Sequence, residues 1–176
     1  MKLDATAFQQ HEKAFHQFLT DWGVADPRGL ELIRALAGAA RLLEVIADHH
    51  LQENGLSLPR LRLLLWLHAE EYHGNKDGLS PSRLSQFQHI SKNTVSSLLD
   101  SLEQQGLIER ALNREDKRKF NIRLTRAGRE IIKKTLPQHS ARLAEAFTAL
   151  TSEEQNTLLK LLRKLRPALA ARAAEK

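Results

Sequence analysis

LSPSRLSQFQHISKNTVSSLLDSLEQQG, residues Leu79 to Gly106, decides the fold. Ser80-Pro81 pairs an N-cap with a proline at the first helical position. Leu84 and Phe87 lie three apart and give a short helix one apolar stripe. Gln88-His89-Ile90 is a tight connection with Ile90 as its apolar plug. Ser91 caps a second helix over about 91–105, with Val95, Leu98, Leu99 and Leu102 as its buried stripe. Gly106 suits the left-handed position that ends a helix. Two short helices, a three-residue turn and an apolar wedge predict a helix-turn-helix.

The other face of the second helix carries Ser91, Lys92, Asn93, Thr94, Ser96 and Ser97. These are short hydrogen-bonding groups and one cation, placed where a recognition helix meets base edges and phosphates. Asn93 can bond adenine bidentately and Thr94 can touch a thymine methyl. Taken singly, each is also an ordinary first-turn residue. Downstream, residues 107–112 form a strand, and Phe120, Ile122 and Leu124 alternate with Asn121 and Arg123, a period of two that turns the first three inward. The hairpin tip between them, residues 113–119, holds Arg114, Lys117, Arg118 and Lys119, with Asp116 as a carboxylate suited to fixing a neighbouring arginine. A helix-turn-helix followed by a hairpin is a winged helix.

Charge supports a polyanion partner. The 176-residue chain has a net charge of +6. Residues 79–135 contain 12 Lys and Arg against 6 Asp and Glu, while the remainder holds 15 of each, so the whole surplus sits in the central third. Basic side chains that neutralise phosphates release counterions; a solvated face that merely keeps the protein soluble is the competing account. No cysteine is present, which excludes disulfides and thiolate chemistry. The N-terminus lacks an apolar signal core, and LPRLRLLLWLHA is too short and too basic to span a bilayer, so a cytoplasmic location is expected.

Outside the basic third the chain is helical. A first helix from Asp4 to about Trp22 carries Phe8, Phe15, Phe18, Leu19 and Trp22. Asp26-Pro27 opens a second, with Leu30, Ile33, Leu36, Ala37, Ala40, Leu43, Ala47 and Leu51 on one side, ended by Asn54-Gly55. Ser57 caps a third, to about Glu71, and a polar loop runs from Tyr72 to Gly78. Thr125 caps a helix to about Leu150 that Pro137 should kink or interrupt. Thr151-Ser152-Glu153-Glu154 is a capping box ahead of a helix with Leu158, Leu161, Leu162, Leu165 and Leu169, and residues 170–176 should fray. The expected fold is mainly α with a small β-hairpin wing: N-terminal helices in 1–55, the winged helix-turn-helix lobe in 56–124, and C-terminal helices in 125–176.

Between Leu56 and Leu165 the sequence resembles the MarR family of bacterial transcriptional regulators. The resemblance rests on Leu102-Glu103-Gln104-Gln105-Gly106-Leu107-Ile108, Asp116-Lys117-Arg118 and Leu124-Thr125-Arg126-Ala127-Gly128. It implies a homodimer with interlocked terminal helices that binds a palindromic operator, usually as a repressor. It also implies that Arg118 enters the minor groove while Asp116 holds it or a neighbouring arginine. Three departures stand out. Ser97 occupies a position often arginine in the family. An extra N-terminal helix is present, as in a urate-responsive branch, but Arg62 and Leu98 stand where that branch has a carboxylate and an arginine, so urate binding is not carried over. The Tyr72–Gly78 loop is long.

The resemblance further implies release by a small phenolic or anionic effector. Trp22, His49, His50, Arg62, Trp66, His68 and Tyr72 are the candidate lining residues, with Arg62 and Trp66 able to receive an aromatic carboxylate; Trp66 as core and Arg62 as surface is the plainer account. Neighbouring His49 and His50 diverge by about 100° on a helix, and His11 and His16 are five apart, so a metal-responsive regulator has weak support. No cofactor is implied. No nucleophile elbow, phosphate loop or carboxylate pair indicates an enzyme. A winged helix that binds protein is the remaining alternative, because fold alone does not fix the partner.

Overall fold

A computed structural model describes residues 5–52, 55–88, 90–113 and 116–175. Side chains 5–9, 11, 12 and 50 fall outside that description, as do Asn54, His89 and Arg114 entirely. The described elements are α1 (Ala5–Asp21), α2 (Arg28–Gln52), α3 (Leu58–Tyr72), α4 (Pro81–Gln88), α5 (Lys92–Gln104), β1 (Ile108–Leu112), β2 (Phe120–Leu124), α6 (Arg126–Glu145) and α7 (Ser152–Ala174). Residues 1–45 and 46–176 form two compact units, and α2 crosses the division. Among the described residues, no helix is long and apolar enough to cross a membrane.

In the first unit Leu19 is buried, while Phe18 and Trp22 lie exposed, their rings 5.2 Å apart. The Arg34 guanidinium sits 4.5 Å over the Phe15 ring, and His16 Nδ1 meets Glu31 Oε1 at 2.5 Å. Helix α2 begins at Arg28, one residue after the expected Pro27. The Asp26 carboxylate accepts the Arg28 amide at 3.1 Å, so the cap is as expected and only the helical count shifts.

The second unit is built around α3. Leu61, Leu63, Leu64 and Leu67 of that helix are all buried, because α4, α5, α6 and β2 pack around it. A helix surrounded in this way needs no polar stripe. Leu51, Leu56, Leu79, Leu84, Val95, Leu99, Leu102, Ile108, Ile122, Leu124 and Ile132 complete the core. Each buried leucine contributes about 1.5–3 kcal/mol of hydrophobic stabilisation. Leu98, expected in the buried stripe of α5, is only partly buried at the margin of this core.

Local capping follows the sequence with one exchange. Ser80 Oγ accepts the Arg83 amide at 3.3 Å, Ser91 Oγ the Thr94 amide at 3.1 Å, and Thr151 with Glu154 forms the full capping box. Ser57 sits at the N-cap of α3 without a side-chain cap, and Asp48 of α2 takes the Leu58 amide instead, at 2.8 Å. That carboxylate is ten residues upstream, beyond the reach of any local pattern. Helix α6 runs through Pro137 without stopping and ends at Glu145, short of the expected Leu150, while α7 continues to Ala174, where fraying was expected.

The hairpin pairs β1 and β2 antiparallel, with Ile108 opposite Leu124 and Leu112 opposite Phe120. The long Tyr72–Gly78 loop serves this hairpin. Leu79 exchanges both backbone hydrogen bonds with Ile122, at 3.1 and 2.8 Å, and adds a third edge to the sheet. Gly78 makes the approach possible: its φ is +79° and an added Cβ would lie 2.1 Å from the Ile122 carbonyl oxygen. Gly128 is glycine for a related reason. Thr125 Oγ1 donates to the Gly106 carbonyl at 2.7 Å and accepts the Gly128 amide at 3.1 Å, which draws the first turn of α6 so close that a Cβ on Gly128 would meet the Leu107 carbonyl oxygen at 2.1 Å.

The alternation expected in β2 is broken. Phe120 is exposed and Asn121 is buried, the reverse of the period-two expectation, while Ile122 and Leu124 face in as expected. Asn121 turns inward because its amide finds a polar partner there, and Phe120 lies under the Arg110 guanidinium at 5.1 Å.

Candidate nucleic-acid interface

Helix α5 buries Val95, Leu99 and Leu102 and leaves Ser91, Lys92, Asn93, Thr94, Ser96 and Ser97 exposed. Its N-terminus carries the partial positive charge of the helix dipole, which favours an anion there. Several hydroxyls are already engaged. Ser91 Oγ lies 2.8 Å from Thr94 Oγ1, and Ser97 Oγ donates to the Asn93 carbonyl at 3.3 Å. Lys92, Asn93 and Ser96 share the first turns with them.

At the wing tip, Asp116 organises two cations. Its Oδ1 accepts the Arg118 amide at 3.0 Å and Arg118 Nε at 3.4 Å, and its Oδ2 lies 3.2 Å from Lys119 Nζ. The Arg118 amide, then the Lys119 ammonium, hold the Asp116 carboxyl below the usual aspartate range. The carboxylate is therefore charged at neutral pH, and it anchors the base of an arginine whose side chain is 93% exposed. Lys117 is exposed beside it. Arg114 lies outside the described residues.

Two ties that sequence reasoning missed fix the wing to its surroundings. Arg110 of β1 bonds Asp100 and, at 3.1 Å, Glu103, so the wing strand grips the rear of α5. Arg123 of β2 bonds Asp77 of the loop at 2.9 Å. Asp100 and Glu103 lie three apart on a helix, a spacing that presents both to one cation; only their separation from Arg110 in sequence hid the partner.

Three of the effector candidates, Arg62, Trp66 and Tyr72, lie on α3. Trp66 stacks on Phe87 with centroids 4.5 Å apart and planes 13° apart, at the margin of the core. Arg62 is exposed on the same helix, and Tyr72 is 85% exposed with its ring against His73. Trp22 belongs to the first unit and is 75% exposed. The His50 side chain lies outside the described residues. Two cavities are lined by other residues: one of about 410 Å³ by Lys13, Phe15, His16, Arg28, Glu31 and Arg34 among others, and one of about 310 Å³ around Glu71, Lys76, Arg123 and Arg129.

Residues 54–119 match the MarR family model. The HTH-type transcriptional repressor YetL of Bacillus subtilis (strain 168) is 29% identical over 137 residues, covering 78% of this chain and 80% of its own length. The transcriptional repressor MprA of Escherichia coli (strain K12) is 30% identical over 115 residues, 65% of this chain and 63% of its own. Among solved structures, AbsC from Streptomyces coelicolor, a MarR family transcriptional regulator, superposes with a TM-score of 0.70 at 26% identity, over 80% of this chain and 93% of its own.

Proposed function

We propose that the chain is a MarR family transcriptional regulator, as the match of residues 54–119 and the likeness to YetL and AbsC support, and that it binds duplex DNA as a homodimer, most simply as a repressor on a palindromic operator. One juxtaposition carries the proposal. The polar exposed face of α5 and the Arg118 wing tip, joined through Arg110, occupy the third of the chain that holds its entire net positive charge. In this assignment Lys92, Asn93, Thr94, Ser96 and Ser97 face the major groove and Ser91 caps the helix that carries them. Arg114, Lys117, Arg118 and Lys119 meet phosphates or the minor groove, with Asp116 setting the pose of Arg118. The two recognition helices of a dimer address half-sites about one helical turn, roughly 10 bp, apart. Regulation by a small aromatic or anionic ligand, with Arg62 and Trp66 of α3 as its candidate receptors, belongs to the same proposal, as does a place in the cytoplasm with the chromosome.

The test is binding to the DNA upstream of the protein's own gene, titrated against salt. The logarithm of the association constant should fall linearly with the logarithm of salt concentration, by about 0.9 for each phosphate neutralised. Salt-insensitive binding, or no duplex binding at low salt, would overturn the proposal. Repeating the titration with a panel of aromatic acids tests the ligand part.

A further inference from the structure

We infer that Asn121 is a positioning residue for the wing: a relay of side-chain amides runs from the α3–α4 loop through this buried asparagine to the carboxylate that holds Arg118. The inference rests on the DNA-binding proposal and adds to it a residue remote from the interface.

The relay can be followed atom by atom. Asn121 Nδ2 donates to the Asp77 carbonyl oxygen at 3.1 Å, a contact across 44 residues of sequence. Asn121 Oδ1 accepts Asn113 Nδ2 at 3.4 Å. Asn113 Oδ1 in turn accepts the Asp116 amide at 3.0 Å. Asp116 Oδ1 accepts both the backbone amide and Nε of Arg118. Asn121 thus uses a donor and an acceptor in opposite directions, as only a primary amide of this length can at that position.

The anchor end is tied at several points and the far end is exposed. Asp77 is fixed by its amide on Asn75 Oδ1 at 3.1 Å and by Arg123, and its neighbour Leu79 is paired to β2. Asn121 is only 9% exposed, whereas the Arg118 side chain is 93% exposed. A long exposed arginine loses rotamer entropy when it binds. Holding Asp116, and through it the base of Arg118, in one place lowers that loss. Buried amide networks of this kind are costly when half satisfied, so a single break propagates.

A double-mutant cycle on duplex DNA tests this. Arg118→Ala should weaken binding by the otherwise unaltered chain about tenfold, within the range for loss of one arginine contact to DNA. Asn121→Leu keeps the same number of side-chain heavy atoms in the same branched arrangement and removes both amide bonds. In that background Arg118→Ala should cost no more than about twofold, because the arginine is no longer held; coupled sites show such non-additivity. Circular dichroism and a thermal melt establish that Asn121→Leu is folded, and Asn113→Ala cuts the same relay nearer the surface should it not be. Equal fold-losses from Arg118→Ala in all three backgrounds would overturn the inference, as would wild-type affinity in Asn121→Leu. Amide exchange without DNA separates the two levels of the argument. Asn121→Leu should speed exchange of the Asp116 amide severalfold and leave the amides of α5 unchanged, and unchanged exchange at Asp116 would overturn the relay itself. Failure of the unaltered chain to bind any duplex would instead overturn the DNA-binding proposal and, with it, the role given to Asn121.

Discussion

Glu71 illustrates what one carboxylate does in the second unit. Arg129 Nε reaches its two oxygens at 3.2 and 2.9 Å and Arg129 Nη2 adds a bond at 2.5 Å, a bidentate tie between the end of α3 and the start of α6. Those bonds hold Glu71 below the ordinary glutamate value of 4.5 against the opposing effect of desolvation, and raise the pKa of Arg129. A folded-state pKa below the unfolded one means stability that is complete above the unfolded pKa and lost as pH falls through the folded one. The pair therefore contributes fully at neutral pH and fades in the acid range below 4.5. With both groups about a third exposed or more, the contribution is about 1 kcal/mol or less. Urea unfolding of Glu71→Gln should show that loss at about pH 7 and a smaller one at about pH 3. The same loss at both would mean that the ionised pair is not the source. Neither partner was legible in sequence, because Glu71 and Arg129 are 58 residues apart and each resembles an ordinary surface charge.

At the scale of the element, α5 depends on its first turn. Ser91 is the N-cap expected from the sequence, accepting the Thr94 amide and meeting the Thr94 hydroxyl. Ser91→Ala should cost about 1 kcal/mol, seen as a lower melting temperature. It should also weaken duplex binding, since fraying displaces Lys92 and Asn93, whereas wild-type affinity in a destabilised variant would place the DNA contacts elsewhere. Most caps could be named from sequence because a cap is a contact over three residues. Ser57 takes the expected N-cap position without the expected side-chain bond, since the carboxylate that receives the Leu58 amide comes from Asp48 on another helix. The β2 strand failed for a similar reason. Period two describes two faces, one wet and one dry, and Asn121 lies on an expected wet face that the loop at Asp77 covers.

At the scale of the molecule, the terminal helices carry apolar surface with no use in an isolated chain. Helix α7 has no buried residue, and Leu159, Leu161, Leu162, Leu165 and Leu169 are between 38% and 59% exposed. Along α2, Leu32, Ile33, Leu36, Leu42 and Val45 are exposed as well. Surfaces this apolar mark an interface, and a second copy supplies it in the homodimer proposed above. Light scattering should return twice the 20.0 kDa chain mass. Leu161→Glu with Leu165→Glu should shift the protein toward the monomer and weaken operator binding, because one recognition helix then loses its partner half-site. An unaltered dimer in that variant would remove α7 from the interface.

Read alone, the sequence determined the order of elements, nearly every helix start, the helix-turn-helix, the wing and the localisation of charge. All of these depend on residues a few positions apart, where capping, periodicity and turn chemistry act. Only the tertiary structure decided that Asp48 caps α3, that Asp77 receives Arg123 and Asn121, that Arg110 joins the wing to α5, and that Glu71 receives Arg129. Each of these is a polar contact between distant segments. A hydrogen bond takes its energy from geometry within about 3 Å, and the approach of two segments is set by how the leucines around α3 pack, which no local pattern records.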